Sequence, residues 1–275
     1  MEEKKLGLLA GEGEIPLFFL KKFPSPETVV VGIKGITSPS ISSLTSRLFW
    51  VGLTELTKCI DIFRKEGVKR VLLLGKFKKE YAYQNLSLGE GMRKFLDSLK
   101  DRRDSSFFYT FQAWLEKENI EVESIIHFLS PWLAREGVLT TSSPSPEEWE
   151  DIEFGLGIAQ ELARLDIGQT VVVKEKACLA LEAIEGTNET IRRGAKYGGE
   201  GVVVVKVARP WQDERFDVPV VGEETIELMG RLRARVLALE AKKVLLVGEN
   251  PLKLANERGI SIVGINTPER EVKNG

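Results

Sequence analysis

The chain has 275 residues, of which 29% are charged and 43% apolar, with a formal net charge of −2. This balance is that of a globular protein and excludes a disordered chain. The absence of excess positive charge argues against nucleic acid as a partner. No apolar run approaches the roughly 20 residues that a transmembrane helix needs, and residues 1–20 lack the pattern of a signal peptide. We therefore expect a cytoplasmic protein with no transmembrane segment.

The first half of the chain alternates short apolar runs with helical patterns, which predicts an α/β fold. Strands are predicted at 6–10, 28–33, 70–74 and 122–126, and helices at 53–65, 89–99 and 105–118. At this length two domains are expected. The pattern breaks into prolines, glycine and a Ser/Thr cluster between Ser130 and Pro146, which is typical of an interdomain connection. We therefore predict domains at 1–132 and 133–275.

Two glycine-containing turns follow predicted strands of the first domain. Gly11 and Gly13 could present backbone amides to an anionic ligand, or could form an ordinary tight turn. Lys76 follows Gly75 at the end of another strand, where it could meet a phosphate or be a solvated lysine. The third glycine of a dinucleotide fingerprint is missing, which disfavours a nicotinamide-dependent oxidoreductase.

The second half repeats the alternation of strands and helices. Helices are predicted at 145–165 and 187–197, and a third, long helix is predicted from the apolar residues that recur on one face between Ile226 and Leu239. Strands are predicted at 170–174, 179–184, 201–207, 243–247 and 260–265. Cys59 and Cys178 have no partner thiol at metal-ligand spacing, so both are expected to be buried and reduced.

A strand-to-helix junction at 182–193 is the first candidate site of the second half. Glu185 could bind a cation, Thr187 and Asn188 could cap the helix, and Arg192 could meet phosphate oxygens. A capped helix with a solvated basic turn explains the same residues. The chemistry of the side chains leaves these alternatives open.

The second candidate is the run from Lys206 to Thr225, which follows a predicted buried strand and precedes a helix. Its charged and amide side chains include Lys206, Arg209, Gln212, Asp213, Arg215 and Asp217. A solvated loop would also carry such charges, but this one has two stiffening prolines and leads to a helix N-terminus. Its oxygen ligands would suit Mg²⁺ or Mn²⁺. We predict that the chemistry is located here.

At these residues the sequence resembles a known bacterial family. The blocks LDIGQTVVVKE (165–175), LEAIEGTNETIRR (181–193) and KVARPWQDERFDVPVVGEETIE (206–227) are similar to the signature blocks of the UDP-2,3-diacylglucosamine pyrophosphatases of lipid A biosynthesis. The likeness extends to residues 6–16 and 143–156. It implies a Rossmann-like N-terminal domain and a distinct catalytic α/β C-terminal domain, which enclose the substrate between them.

The resemblance also implies an activity and a set of site residues. The reaction would be hydrolysis of UDP-2,3-diacylglucosamine to UMP and 2,3-diacylglucosamine 1-phosphate, with Mg²⁺ or Mn²⁺ as cofactor. The family aspartate matches Asp217, with Asp213 as the second catalytic candidate and Glu185 as a second metal ligand. The expected substrate-binding residues are Gly11, Gly13, Lys76, Gln169, Thr187, Asn188, Arg192, Lys206, Gln212 and Thr225. A homodimer and transient contact with the inner-membrane surface are left open.

Two positions depart from the family pattern. Asn188 stands where the family often has aspartate, and the family's K-G-D-D run is here Arg102-Arg103-Asp104-Ser105. These departures favour an alternative, a catalytically inactive protein that binds a sugar nucleotide or lipid and acts as a regulator.

Overall fold

The computed structural model describes residues 5–76, 90–100, 104–215 and 217–267. They form two compact units. The first contains the chain up to residue 128 together with residues 214 and 215, and the second contains 129–213 and the chain from Asp217 onward. The division at 128 lies near the start of the predicted connection at Ser130.

The first unit is built on a sheet of five parallel strands. These are β1 (Leu6–Ala10), β2 (Val29–Ile33), β3 (Leu48–Val51), β4 (Arg70–Leu74) and β5 (Glu121–Val122). Their order is β3-β2-β1-β4-β5, the order used by doubly wound nucleotide-binding sheets. Sequence reasoning missed β3, because three of its four residues are only half-buried and it lies at the sheet edge.

Helices contribute to the core of this unit. They are α1 (Ile15–Lys22), α2 (Lys58–Lys65), α3 (Glu90–Asp97) and α4 (Asp104–Lys117), and a short helix, α5 (Ile126–Leu129), lies where the chain passes from the first unit to the second. The predicted helix at 53–65 is divided, since Leu53–Glu55 forms a 3-10 turn before α2 begins. Phe63, Phe95 and Phe111 are buried in one hydrophobic cluster, so the aromatic residues of α4 contribute to core packing.

The second unit contains a six-stranded mixed sheet and a short two-stranded one. The strands are β6 (Gly137–Val138), β7 (Thr170–Lys174), β8 (Ala177–Leu181), β9 (Val203–Lys206), β10 (Val220–Val221), β11 (Val236–Glu240), β12 (Leu245–Leu246) and β13 (Ser261–Ile265). The larger sheet has the order β6-β13-β11-β9-β7-β8, while β10 pairs with β12. Strands β9, β11 and β13 are parallel, whereas β7 runs antiparallel to β9. The prediction of a distinct α/β fold is confirmed.

Glycines on two helices allow close packing on opposite faces of this sheet. The helices are α6 (Pro146–Arg164), α7 (Thr187–Gly198), α8 (Glu223–Arg231) and α9 (Pro251–Glu257). Gly155 of α6 packs against Val173 and Val205, and Gly194 of α7 packs against Val172. Successive residues of a strand point to opposite faces, so α6 and α7 cover opposite sides of β7.

Two expectations about this unit are wrong. The predicted long helix from Ile226 to Leu239 ends at Arg231, and the chain then enters the fully buried strand β11. Arg233 adopts φ 52°, a conformation that does not continue a helix. Cys59 is buried, and burial raises the pKa of its thiol, but Cys178 is exposed because it lies on the edge strand β8. Across the described ranges, the structure has no helix that could span a bilayer.

Candidate active site

One edge of the larger sheet gathers polar residues from distant parts of the second unit. Strand β9 ends there at Lys206, and because β7 runs the opposite way, its first residue, Thr170, pairs with Lys206. Glu182 follows β8 and donates its backbone N–H to the Thr170 carbonyl over 2.9 Å. Strand β11 also ends at this edge, where Leu239 pairs with Lys206. At this edge strands β9 and β11 therefore end, and strand β7 begins.

A buried hydrogen-bond network connects these residues. The Lys206 ammonium donates to the Thr187 hydroxyl over 2.7 Å, and this hydroxyl donates to Glu182 Oε1 over 2.9 Å. The Gln169 backbone N–H donates to Glu182 Oε2 over 3.2 Å. Lys206, Thr187 and Glu182 are only 4%, 4% and 8% exposed. Buried polar groups usually have at least one hydrogen-bond partner, and each of these three side chains has one.

The network keeps the Glu182 carboxyl ionised. Burial acts to raise its pKa, but the Lys206 ammonium and hydrogen bonds from Thr170, Thr187 and the Gln169 amide outweigh burial and lower the pKa. The carboxylate in turn provides a fixed negative partner for the buried ammonium.

The starts of α7 and α8 lie side by side beside this network. The Thr225 hydroxyl of α8 donates to Asn188 Oδ1 of α7 over 2.8 Å, and Asn188 Nδ2 donates to Glu224 Oε1 over 3.3 Å. Capping of α7 by Thr187 or Asn188 was expected, but this is wrong because the capping residue is Gly186. Neither helix start receives a side-chain cap from the described residues, which leaves backbone N–H groups of the kind that bind anions.

Asp217 lies on the loop after β9, where Arg209 holds it. Arg209 Nη1 donates to Asp217 Oδ2 over 2.6 Å, and Arg209 Nε lies 2.8 Å from Asp166 Oδ1. The Asp217 backbone N–H donates to the Asp213 carbonyl over 3.0 Å. The Asp217 side chain is 36% exposed, whereas Arg209 is only 13% exposed. Arg209 therefore bridges two carboxylates.

Two glutamines adjoin this loop. Gln212 Oε1 accepts the Arg209 backbone N–H over 2.8 Å, and the Gln169 carbonyl accepts the Val207 N–H over 3.0 Å. Gln169 Oε1 and Gln212 Nε2 are buried and have no hydrogen-bond partner among the described residues. Since unpaired buried polar atoms are rare, these two atoms are candidates for ligand contact.

Two further candidate residues of the second unit, Glu185 and Arg192, form ion pairs outside the buried network. Glu185 forms an ion pair with Arg193 and accepts the Ala183 N–H over 3.1 Å. Arg192 is exposed and pairs with Glu189 on its own helix. These contacts are separate from the buried network, and the assignment of Glu185 to metal and of Arg192 to substrate stays a prediction.

Gly11, Gly13 and Lys76 belong to the first unit. The Gly11 N–H donates to the Leu74 carbonyl over 2.7 Å, and Glu12 and Lys76 exchange backbone hydrogen bonds of 3.0 and 2.8 Å. A Cβ on Gly11 would lie 2.7 Å from the Lys76 carbonyl oxygen, so close backbone approach explains this glycine. The Gly11 N–H thus already has a hydrogen-bond partner within the protein, while contact of Gly13 and Lys76 with substrate stays a prediction.

Sequence reasoning missed Asp166 and Glu240. Glu240 is 5% exposed and its Oε2 accepts the Ala208 N–H over 2.8 Å, which fixes the start of the loop that carries Asp217. The available signal was a single acid at the end of the apolar run Val236–Leu239. Asp104 lies in α4, and the catalytic role of Asp213 stays a prediction.

A metal ion at this site would have few protein ligands. Among the described residues, no three His, Cys, Asp or Glu side chains are grouped to hold a metal. Mg²⁺ is commonly held by one or two carboxylates together with water and substrate phosphates. The partly exposed Asp217 carboxylate, which Arg209 contacts through Oδ2, fits that requirement.

Comparison with known proteins identifies the family. Residues 5–132 match the LpxI N-terminal domain and residues 135–263 match the LpxI C-terminal domain. The chain belongs to the LpxI family. The resemblance seen in the signature blocks is thereby confirmed. An LpxI relative from Caulobacter vibrioides, named UDP-2,3-diacylglucosamine pyrophosphatase, is 29% identical over 282 residues, covering 97% of this chain and 99% of the relative.

Proposed function

We propose that the protein hydrolyses the pyrophosphate bond of UDP-2,3-diacylglucosamine, releasing UMP and 2,3-diacylglucosamine 1-phosphate for lipid A biosynthesis. The observation that carries this proposal is the match to an LpxI relative of that name across 97% of the chain. Both LpxI domains are matched, so the proposal does not depend on a shared fold alone.

The polar edge of the second unit supports binding of an anionic substrate. Two helix starts without side-chain caps would present backbone N–H groups to phosphate oxygens. The Lys206 ammonium is held beside them by Thr187, and it would donate to the same anion. The unpaired Gln169 Oε1 and Gln212 Nε2 would complete their hydrogen bonds with the substrate.

Asp217 is the proposed catalytic residue. Pyrophosphate cleavage needs an oriented water in line with the leaving oxygen, and a carboxylate can accept the proton of that water. Asp217 is accessible to solvent, and Arg209 fixes its position. Mg²⁺ or Mn²⁺, held by Asp217 with Glu185 as the second predicted ligand, would neutralise charge on the phosphate oxygens.

The substrate also suggests where the enzyme works. Two acyl chains favour a molecule at a lipid surface, so we extend the proposal to a cytoplasmic enzyme in transient contact with the inner membrane. Cosedimentation with anionic phospholipid vesicles, with and without substrate, would measure that contact.

The decisive experiment follows UMP release from UDP-2,3-diacylglucosamine by the purified protein with Mg²⁺, with Mn²⁺ or with a chelator. We expect metal-dependent release of one UMP per substrate. In the Asp217→Asn variant kcat should fall about 10²- to 10⁴-fold, because general-base catalysis contributes that much. Substrate binding should be retained.

Matched variants separate the possible outcomes. Asp61→Asn changes an exposed aspartate of the first unit and should leave kcat unchanged. Full activity in Asp217→Asn with loss in Asp213→Asn would move the catalytic role to Asp213. Tight substrate binding without UMP release by the wild type would reject the enzyme and support the regulatory alternative.

A further inference from the structure

Asp166 is a carboxylate next to the proposed site with no assigned role. Its Oδ1 lies 2.8 Å from Arg209 Nε, while Arg209 Nη1 donates to Asp217 Oδ2 over 2.6 Å. The Nε hydrogen does not point at Asp166, so this contact is an ion pair without hydrogen-bond geometry. One guanidinium is thus held between two carboxylates.

The backbone of Asp166 adopts a left-handed conformation at the end of α6. It follows α6 with φ 56°, and its N–H donates to the Ala163 carbonyl over 3.1 Å. The next N–H, that of Ile167, donates to the Leu162 carbonyl over 3.2 Å. Glycine is the usual residue at such a left-handed helix end because it has no Cβ. Aspartate is tolerated there but is less favourable than glycine, and in this position its side chain forms the ion pair with Arg209.

We propose that Asp166 is a positioning residue, which acts through Arg209 to hold Asp217 in its reactive orientation. This inference rests on the proposed function, since it requires Asp217 to carry out the chemistry. The guanidinium is a planar fork with fixed donor directions. The Asp166 charge beside Nε attracts the guanidinium and opposes its rotation away from the position in which Nη1 holds Asp217. Without Asp166, Arg209 is free to turn both donors toward Asp217 and displace it.

The test replaces Asp166 with asparagine and with glycine, and measures kcat, KM and urea unfolding for each variant. Both residues tolerate the left-handed backbone, so the fold should be kept, and Asp166→Gly should be at least as stable as the wild type. We expect kcat to fall about ten- to a hundredfold with little change in KM, since misplacement of a reacting group has effects of this size.

A double-mutant cycle and a matched control make the result specific. Arg209→Lys removes the fork, and its effect should not add to that of Asp166→Asn, because both act on the same contact. Arg233→Gly removes a charge at another left-handed position, φ 52°, in an exposed ion pair with Glu200. It should leave kcat unchanged.

The outcomes are distinguishable. UMP release by the wild type together with wild-type kcat in both Asp166 variants would overturn the positioning role alone. A loss of kcat that only follows the fraction of unfolded protein, or that adds fully to Arg209→Lys, would also overturn it. Absence of UMP from the wild type would overturn the proposed function and this inference with it.

Discussion

The buried charges of Lys206 and Glu182, joined through the Thr187 hydroxyl, have the largest consequences at the residue scale. Moving two charges out of water is unfavourable, and the loss is offset only where hydrogen bonds and mutual attraction are well arranged. Here the Thr187 hydroxyl lies between them, accepting from one and donating to the other. Removal of the Glu182 charge would take away the attraction that lowers the energy of the buried ammonium.

Replacing Glu182 with glutamine is therefore expected to lower the free energy of unfolding at neutral pH by about 1–3 kcal/mol, the size of a lost hydrogen bond to a buried charged group. The pH dependence has a defined sign. Glu182 has a pKa below its usual value of 4.5, so its contribution is present above that pH and is lost as the pH falls through the lower folded-state pKa. Urea unfolding from pH 6 downward should show a smaller pH dependence in Glu182→Gln than in the wild type.

Glu189 supplies the comparison for this measurement. It is exposed and paired with Arg192 on the surface of α7, where an ion pair contributes about 0–1 kcal/mol. Glu189→Gln should unfold almost as the wild type does. Parallel pH curves for the wild type and Glu182→Gln would show that the buried pair does not contribute as described.

The site residues differ in how far they could be predicted. Lys206, Gln212 and Asp217 lie within one short stretch, so their density along the chain was enough to indicate the loop as a candidate site. Asp166 could not be paired with Arg209 in the same way, because the 43-residue separation along the chain carries no information about contact. The capping role expected for Thr187 was wrong because tertiary contacts with Lys206 and Glu182 use its hydroxyl.

At the scale of elements, two glycines of α6 have opposite surroundings. A Cβ on Gly155 would lie 2.8 Å from Val205 Cγ2, whereas a Cβ on Gly157 would have no described atom within 4 Å apart from the glycine itself, its chain neighbours and the nearby backbone of its own helix. The first glycine permits the helix to pack closely on the sheet, and the second is exposed to solvent.

Alanine at these two positions should thus change stability in opposite directions. Gly155→Ala is expected to destabilise the protein by about 1–3 kcal/mol through overpacking. Gly157→Ala should stabilise it by about 0.5–1 kcal/mol, because alanine is the better helix former. Urea denaturation of the two single variants measures both effects. Equal shifts of the same sign would contradict the close packing of α6 against β9.

The elements that sequence reasoning predicted best carry local signals. Helix α6 begins with a capping box, in which the Glu148 N–H donates to Ser145 Oγ and the Ser145 N–H donates to Glu148 Oε2. The error at β11 has a physical origin, since Val236 and Leu239 fit both a helical stripe and a strand buried on both faces. Short apolar runs do not distinguish these alternatives by periodicity.

At the scale of the whole molecule, each unit has a hydrophobic cluster made of its own residues. Phe63, Phe95 and Phe111 belong to a cluster of the first unit, and Ile226 and Leu237 belong to one of the second. We expect a fragment of residues 129–275 to unfold cooperatively in urea. The Gly155→Ala substitution should destabilise that fragment by about as much as the full chain, since distant sites are additive. A fragment without a cooperative transition would contradict independent cores.

The chain length and the alternation of strand and helix patterns predicted two α/β domains, but they did not predict the directions of the strands. The pattern of apolar residues does not indicate the direction of a strand. The sequence Thr170–Lys174 therefore fits a parallel and an antiparallel strand equally well. The direction is set by the connection, and the two residues between β7 and β8 favour a hairpin. Glu175 and Lys176 both have positive φ, and their N–H groups donate to Asp151 over 2.9 and 2.6 Å.

The reversed direction of β7 has a consequence for variation within the family. In a purely parallel sheet, the loops that follow strands are the ones that can diversify a site. Here the segment that enters β7, with Asp166 and Gln169, reaches the same edge as the segment that leaves β9. We therefore expect changes in the α6–β7 connection to alter substrate selectivity while both helix layers and the order of the sheet are preserved.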